Sequence, residues 1–275
     1  MKNHFFTPYA GNKRNEVLKI YEDMDLDGIE NIVEPYCGSF ALSYYVWTQN
    51  KDKDYKYVLN DINALLIDMV KAVTENDESS IEEEVNINRI KIKESVVNDG
   101  FDIAKEKYKE YIKKEGVANN LFAHKYYKLR TGMMPTGTDI KRFDKEFKFS
   151  DYPVYEFLKT AKIELHSTNA NDIINQYNNS NSFIFLDPPY LGSCNNFYKR
   201  DDNINLKECY YDLYKKGIKN YSAKILICHE LNWIFEVLFE EYIDLNKKYS
   251  KRYENNLGKD FSGKPATNHI CIKNY

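Results

Sequence analysis

The apolar run Phe183-Ile184-Phe185-Leu186 passes directly into Asp187-Pro188-Pro189-Tyr190. This junction restricts the fold more than any other stretch of the chain. Four consecutive large apolar residues read as a strand buried on both faces. Two prolines in a row can continue neither a helix nor a central ladder, since each lacks an N–H and fixes φ. The residue before a proline is itself pushed to extended backbone. The chain therefore leaves the strand in a stiff turn that presents an acid, a carbonyl and an aromatic ring at one place.

Other runs share this form, apolar and then abruptly polar. They are Asn31-Ile32-Val33-Glu34-Pro35, Tyr57-Val58-Leu59-Asn60-Asp61, Lys224-Ile225-Leu226-Ile227-Cys228-His229 and the weaker Ile163-Glu164-Leu165-His166-Ser167. Stretches with helical spacing lie between them: Ala41 to Thr48, Ile62 to Val73, Leu206 to Lys219 and Leu231 to Glu240. Strands alternating with helices predict a doubly wound α/β sheet. With 275 residues, 43% of them hydrophobic, there is material for one sizeable core and a smaller appended unit. The alternation fails between about Glu75 and Tyr152, and Gly132, Pro135 and Gly137 break any regular helix over Arg130 to Thr138. Residues 76–152 therefore read as an insertion in a domain made of residues 1–75 and 153–275. The last segment, from Tyr242, reads as two strands around a long loop, Arg252 to Pro265.

A net charge of -3 does not by itself announce a polyanionic partner. The distribution is uneven, however. Residues 101–150 hold twelve Lys/Arg against seven Asp/Glu, while Glu75 to Glu84 holds six acids and no base. Solvated helix faces account for either stretch alone. No run approaches the length of a membrane span and no signal-peptide pattern opens the chain, so an intracellular, cytoplasmic protein is expected. The five cysteines, Cys37, Cys194, Cys209, Cys228 and Cys271, are scattered, without histidines at zinc-ligand spacing, and no metal is expected.

The set offered by Asp187 to Tyr190 suits methylation of an amine: acceptors for the amine hydrogens, a ring on which a base can stack, and a rigid frame. An ordinary strand-ending turn with a buried tyrosine is the plainer alternative. Glu34-Pro35-Tyr36-Cys37-Gly38-Ser39-Phe40 joins the first strand to a helix through a glycine, a common place for a nucleotide-like ligand. Asn60-Asp61 ends the next strand, where an acid can reach ribose hydroxyls; otherwise it is a helix cap. No Pro-Cys dipeptide is present to suggest the thiolate chemistry of cytosine methylation, and no phosphate-binding Gly-x-x-x-x-Gly-Lys-Ser/Thr loop to suggest a nucleotide hydrolase.

Taken in order, Tyr9-Ala10-Gly11-Asn12-Lys13, Pro35-Tyr36-Cys37-Gly38-Ser39-Phe40, Asn60-Asp61 and Asp187-Pro188-Pro189-Tyr190 resemble the Dam-type (D12 class) DNA adenine methyltransferases, phage and viral members included. The resemblance implies a Rossmann-like S-adenosylmethionine-dependent methyltransferase sheet carrying an inserted, mainly helical DNA-recognition subdomain. It implies S-adenosyl-L-methionine as cofactor, held by Tyr9, Lys13, Pro35, Gly38, Asp61 and Asp187. Catalysis then falls to Asp187, Pro188, Pro189 and Tyr190, with the target adenine flipped from the duplex and no metal or covalent intermediate. Lys125, Lys128, Arg130, Lys141 and Arg142 are the expected contacts to double-stranded DNA. A companion restriction endonuclease is a further expected partner, and no membrane is. Phe40 and Asn12 stand where many relatives carry glycine, and the segment after Arg130 is shorter than the usual recognition hairpin. The same chemistry on RNA or protein, and an inactive DNA-binding homologue, are the competing readings.

Overall fold

The computed structural model describes residues 5–6, 13, 16–111, 113–126, 143–188, 213, 216–230, 233–242, 249–251 and 267–275. In chain order the described elements are α1 (Val17–Glu22), β1 (Asn31–Glu34), α2 (Ala41–Gln49), β2 (Lys56–Asn60), α3 (Ala64–Thr74), α4 (Glu78–Asn98), α5 (Phe101–Tyr111) and α6 (Val117–Lys125). There follow α7 (Val154–Thr160), β3 (Lys162–His166), α8 (Ala170–Gln176), β4 (Ser182–Leu186), β5 (Lys224–Glu230), α9 (Trp233–Phe239), β6 (Tyr249–Lys251) and β7 (Thr267–Lys273). They fall into two compact units, one made of residues 1–12 and 63–161, the other of residues 13–62 and 162–275.

The second unit is built on one sheet with strand order β3-β2-β1-β4-β5-β7-β6. The first five strands in that order run parallel, while β7 is antiparallel to both β5 and β6. This is the Rossmann-like methyltransferase sheet expected from the sequence, with the terminal strands placed as an antiparallel edge. The apolar runs became strands because both faces are covered: all of β4 is buried, as are the last three residues of β1 and the last four of β2. On one face Val33, Val58, Ile184, Leu186, Ile225, Ile227, Ile270 and Ile272 form a single core with Ile173 and Ile174 of α8 and Phe235 and Phe239 of α9. Their alternation along each strand is the two-residue period of a pleated sheet.

The direction of strand addition reverses at one place. From β1 the chain moves outward to β2 and β3, then returns to lay β4 against the other side of β1, in the register Ile32↔Phe183 and Val33↔Ile184. Connections that diverge from two adjacent strands leave a crevice beyond their carboxyl ends. Glu34 and Asp187 therefore sit at the ends that flank it.

The first unit is helical and aromatic. Phe6 packs edge-on against Phe149 and Tyr152, at centroid distances of 4.7 and 5.5 Å, and Phe122 contacts Tyr108 and Tyr126. Asn86 of α4 binds both the N–H and the C=O of Phe147, at 2.8 and 2.9 Å, and Glu82 Oε1 accepts from Phe149 N at 2.6 Å. The acidic stretch is thus more than a solvated face. Glu78 pairs with Lys159 at 2.7 Å and accepts from the Tyr155 hydroxyl at 3.0 Å, and Glu84 accepts from Asn119. Spacing could not reveal this, because the partners lie 35 to 81 residues along the chain.

Candidate active site

Three strands of the second unit end in acids or run into them: Glu34 closes β1, Asp61 follows β2 and Asp187 follows β4. The turn after β1 is tied down tightly. Cys37 N donates to Asn60 O at 2.8 Å, Gly38 N to Asp61 Oδ2 at 3.0 Å, and Phe40 N to Cys37 O at 2.5 Å. Gly38 and Phe40 both have positive φ, 47° and 39°. Glycine takes this conformation without cost, whereas a phenylalanine pays about 1–2 kcal/mol for it. Complete burial of the Phe40 ring offsets that strain, which explains how this chain closes the turn without a second glycine.

Phe40 is the N-cap of α2 and provides no side-chain cap. The free amide of Ser43 in the first turn instead donates to Glu34 Oε1 at 2.7 Å. Glu34 is buried, and burial pushes its carboxyl up to about 7; the bonds from Ser43 oppose the shift and the nearby Asp187 charge adds to it. The helix N-terminus that commonly receives a phosphate is therefore occupied by a carboxyl group of the protein itself.

Asp187 forms an ion pair with Lys13, Oδ2 to Nζ at 2.6 Å, with side-chain exposures of 17% and 6%. Burial alone disfavours the Lys13 ammonium, but the charge of Asp187, assisted by Glu16, outweighs it and raises the lysine pKa. The pair fixes the orientation of the carboxylate at the mouth of the β1/β4 crevice. Cys37 lies in the same turn, yet burial and the charges of Asp61 and Glu34 push its thiol well above the usual range, so it offers no thiolate nucleophile.

Of the residues singled out from sequence, Lys13, Pro35, Gly38, Asp61, Lys125, Asp187 and Pro188 are described; Gly38 is bonded to Asp61, Pro35 to Asn60, and, separately, Lys13 to Asp187. Tyr9, Pro189, Tyr190, Lys128, Arg130, Lys141 and Arg142 lie outside the described residues, as does most of the helix expected over Leu206 to Lys219. Lys125, expected at DNA, has its ammonium 4.8 and 5.1 Å from the ring centroids of Phe147 and Tyr152 and hydrogen-bonded to the Tyr152 hydroxyl. Glu34 and Asn60 lie within the sequence motifs, which assign them no role. Both are polar residues that end a strand directly after an apolar run, and that is the signal that finds them.

A sequence model of the D12 class N6 adenine-specific DNA methyltransferases matches residues 9–225. The chain belongs to that family. The methyltransferase is 25% identical over 294 residues to the Type II methyltransferase M.CviBI of Paramecium bursaria Chlorella virus NC1A, covering 97% of this chain and 98% of that protein. It is 26% identical over 308 residues to the Type II methyltransferase M.MjaIII of Methanocaldococcus jannaschii, covering 98% of each. Full-length relationship to two such enzymes, together with the family match, makes this protein a DNA adenine methyltransferase. The solved rRNA methyltransferase AviRa of Streptomyces viridochromogenes superposes over 97% of this chain and 86% of its own at 8% identity and a TM-score of 0.32, too loosely to bear on the substrate. Among the described residues no helix is long and apolar enough to cross a membrane.

Proposed function

We propose that the methyltransferase draws its methyl group from S-adenosyl-L-methionine, held in the crevice at the carboxyl ends of β1, β2 and β4, and delivers it to the amine of an adenine flipped out of duplex DNA. The observation that carries this is the placement of carboxyl groups around the crevice. Carboxyl groups Glu34, Asp61 and Asp187 stand at its three strand ends, and the Ser43 and Gly38 amides that would greet a phosphate already donate to two of them. With these donors taken, the site offers carboxyl acceptors in place of free amides and suits a ligand with an ammonium and ribose hydroxyls better than a phosphate. When bound, S-adenosylmethionine supplies an electrophilic methyl group.

The protein's own residues prepare the acceptor. Adenine's amine is a poor nucleophile, conjugated with its ring. Asp187 and the Pro188 carbonyl accept hydrogen bonds from its two N–H groups and so stabilise the positive charge that grows on nitrogen during transfer. Lys13 holds the Asp187 carboxylate in place, Pro189 stiffens the turn, and Tyr190 stacks on the flipped base. The Asp187 carboxylate acts as an electrostatic acceptor, and the amine proton passes on to solvent. Tyr9, Lys13, Pro35, Gly38 and Asp61 line the cofactor side.

The inserted stretch, residues 76–152, recognises DNA in this reading. Lys128, Arg130, Lys141 and Arg142 contact phosphates and base edges, while Lys125 contributes through the aromatic cluster it anchors. The Type II designation of both relatives supports a companion restriction endonuclease. The deciding experiment is transfer of labelled methyl from S-adenosylmethionine to unmethylated DNA, with nucleoside analysis. Methylated adenine that is lost in Asp187→Ala is expected; transfer undiminished in that variant would refute the assignment of Asp187.

A further inference from the structure

Asn60, the last residue of β2, is 1% exposed. A carboxamide buried this deeply has two N–H donors and an acceptor to satisfy. Its partners come from the turns on both sides of its strand. Nδ2 donates to the Pro35 carbonyl at 2.8 Å and to the Thr168 carbonyl at 3.2 Å, while Oδ1 accepts from Thr168 N at 2.9 Å and Thr168 Oγ at 3.4 Å. Only one orientation of the amide fits, because a half-turn would set Nδ2 against the Thr168 N–H and Oδ1 against two carbonyls.

In the sheet, β2 lies between β1 and β3. The side chain therefore joins the turn beyond β1 to the turn beyond β3, past the point where the strand ladder of β1 ends. The backbone works in the same place: Asn60 O accepts from Cys37 N, and the adjoining Asp61 carboxylate from Gly38 N. Three polar groups of the glycine turn, Pro35 O, Cys37 N and Gly38 N, are thus held by two consecutive residues.

We propose that Asn60 is a positioning residue for methyl transfer: its carboxamide sets the spacing of the Pro35–Gly38 turn and the Thr168 turn, and so the shape of the crevice that receives S-adenosylmethionine. The inference rests on the cofactor reading above. Asn60 touches neither the reacting atoms nor DNA, so its loss falls on cofactor affinity. Replacing it by leucine, of similar volume, leaves the carbonyl of buried Pro35, and the Thr168 carbonyl and N–H at the strand end, without this partner. That loss raises KM for S-adenosylmethionine between about tenfold and about a hundredfold, with kcat and the KM for DNA changed by less than about threefold.

The experiment is calorimetric titration with S-adenosylmethionine and steady-state methylation, for wild type and Asn60→Leu, alongside thermal unfolding. Absence of binding by the wild type overturns both the cofactor reading and the inference. Binding by the wild type with unchanged KM and a merely lowered Tm in Asn60→Leu overturns the inference alone, since that is the mark of a purely architectural asparagine. Asn60→Asp provides a second readout. Its carboxylate still accepts from Thr168 N but faces the Pro35 carbonyl without a proton, so its KM falls toward the wild-type value as pH is lowered and the acid regains a donor. Should Asn60→Leu fail to fold, a KM in Asn60→Asp that tracks the wild type across pH overturns the proposal.

Discussion

Replacing Glu34 by glutamine changes how the fold's stability depends on pH. The carboxyl of Glu34 rises from an ordinary 4.5 to about 7 because it is buried, with the Asp187 charge nearby, and Ser43 favours its charged form too weakly to offset this. Between those two values the folded protein keeps a proton that the unfolded chain releases. The contribution of this group to stability is therefore full below about pH 4.5, declines as pH rises through 7, and is absent above. At ~1.4 kcal/mol for each pH unit, the gap corresponds to at most about 3 kcal/mol, or a Tm change on the order of 5–10 °C. Glutamine imitates the protonated acid: its carbonyl still accepts from Ser43 N, and it cannot ionise. Thermal unfolding of wild type and Glu34→Gln, followed by circular dichroism from about pH 5 to about pH 8, is the assay. The two are expected to coincide near the acid end, with the variant increasingly the more stable toward the alkaline end. Parallel curves across the range would refute the argument, because they would mean that Glu34 ionises alike in both states.

Lys13→Met leaves the largely buried Asp187 carboxylate without its cation and is expected to cost about 3 kcal/mol in urea unfolding. Pairing it with Asp187→Asn recovers most of that loss, and strictly additive single effects would show that the ion pair is not coupled. Phe40→Gly relieves the left-handed backbone by about 1–2 kcal/mol but deletes a fully buried ring worth about 3–5 kcal/mol. A net destabilisation of about 2 kcal/mol is expected, and a more stable variant would mean that strain dominates the turn. Replacing Lys128, Arg130, Lys141 and Arg142 together with glutamine is expected to flatten the dependence of DNA affinity on salt while sparing S-adenosylmethionine binding. An unchanged slope would move the DNA contacts elsewhere.

The sequence alone determined the sheet strands and the ends at which chemistry gathers. Apolar runs such as Phe183 to Leu186 must be buried on two faces, and a double proline must end a strand, so both conclusions follow from local sterics and solvation. The family resemblance was equally legible, being carried by short motifs in a fixed order. Tertiary structure alone decided which distant groups meet. Lys13 and Asp187 are 174 residues apart in sequence, and nothing in either neighbourhood specifies the pair. The same holds for Asn60 and Thr168, for the acids of α4 that turn inward, and for Lys125 and the rings of Phe147 and Tyr152 beside its ammonium. A charged or amide side chain has several low-energy uses, as ligand contact, cap or buried clamp. Only the environment assembled by folding, through desolvation and the supply of partners, selects among them.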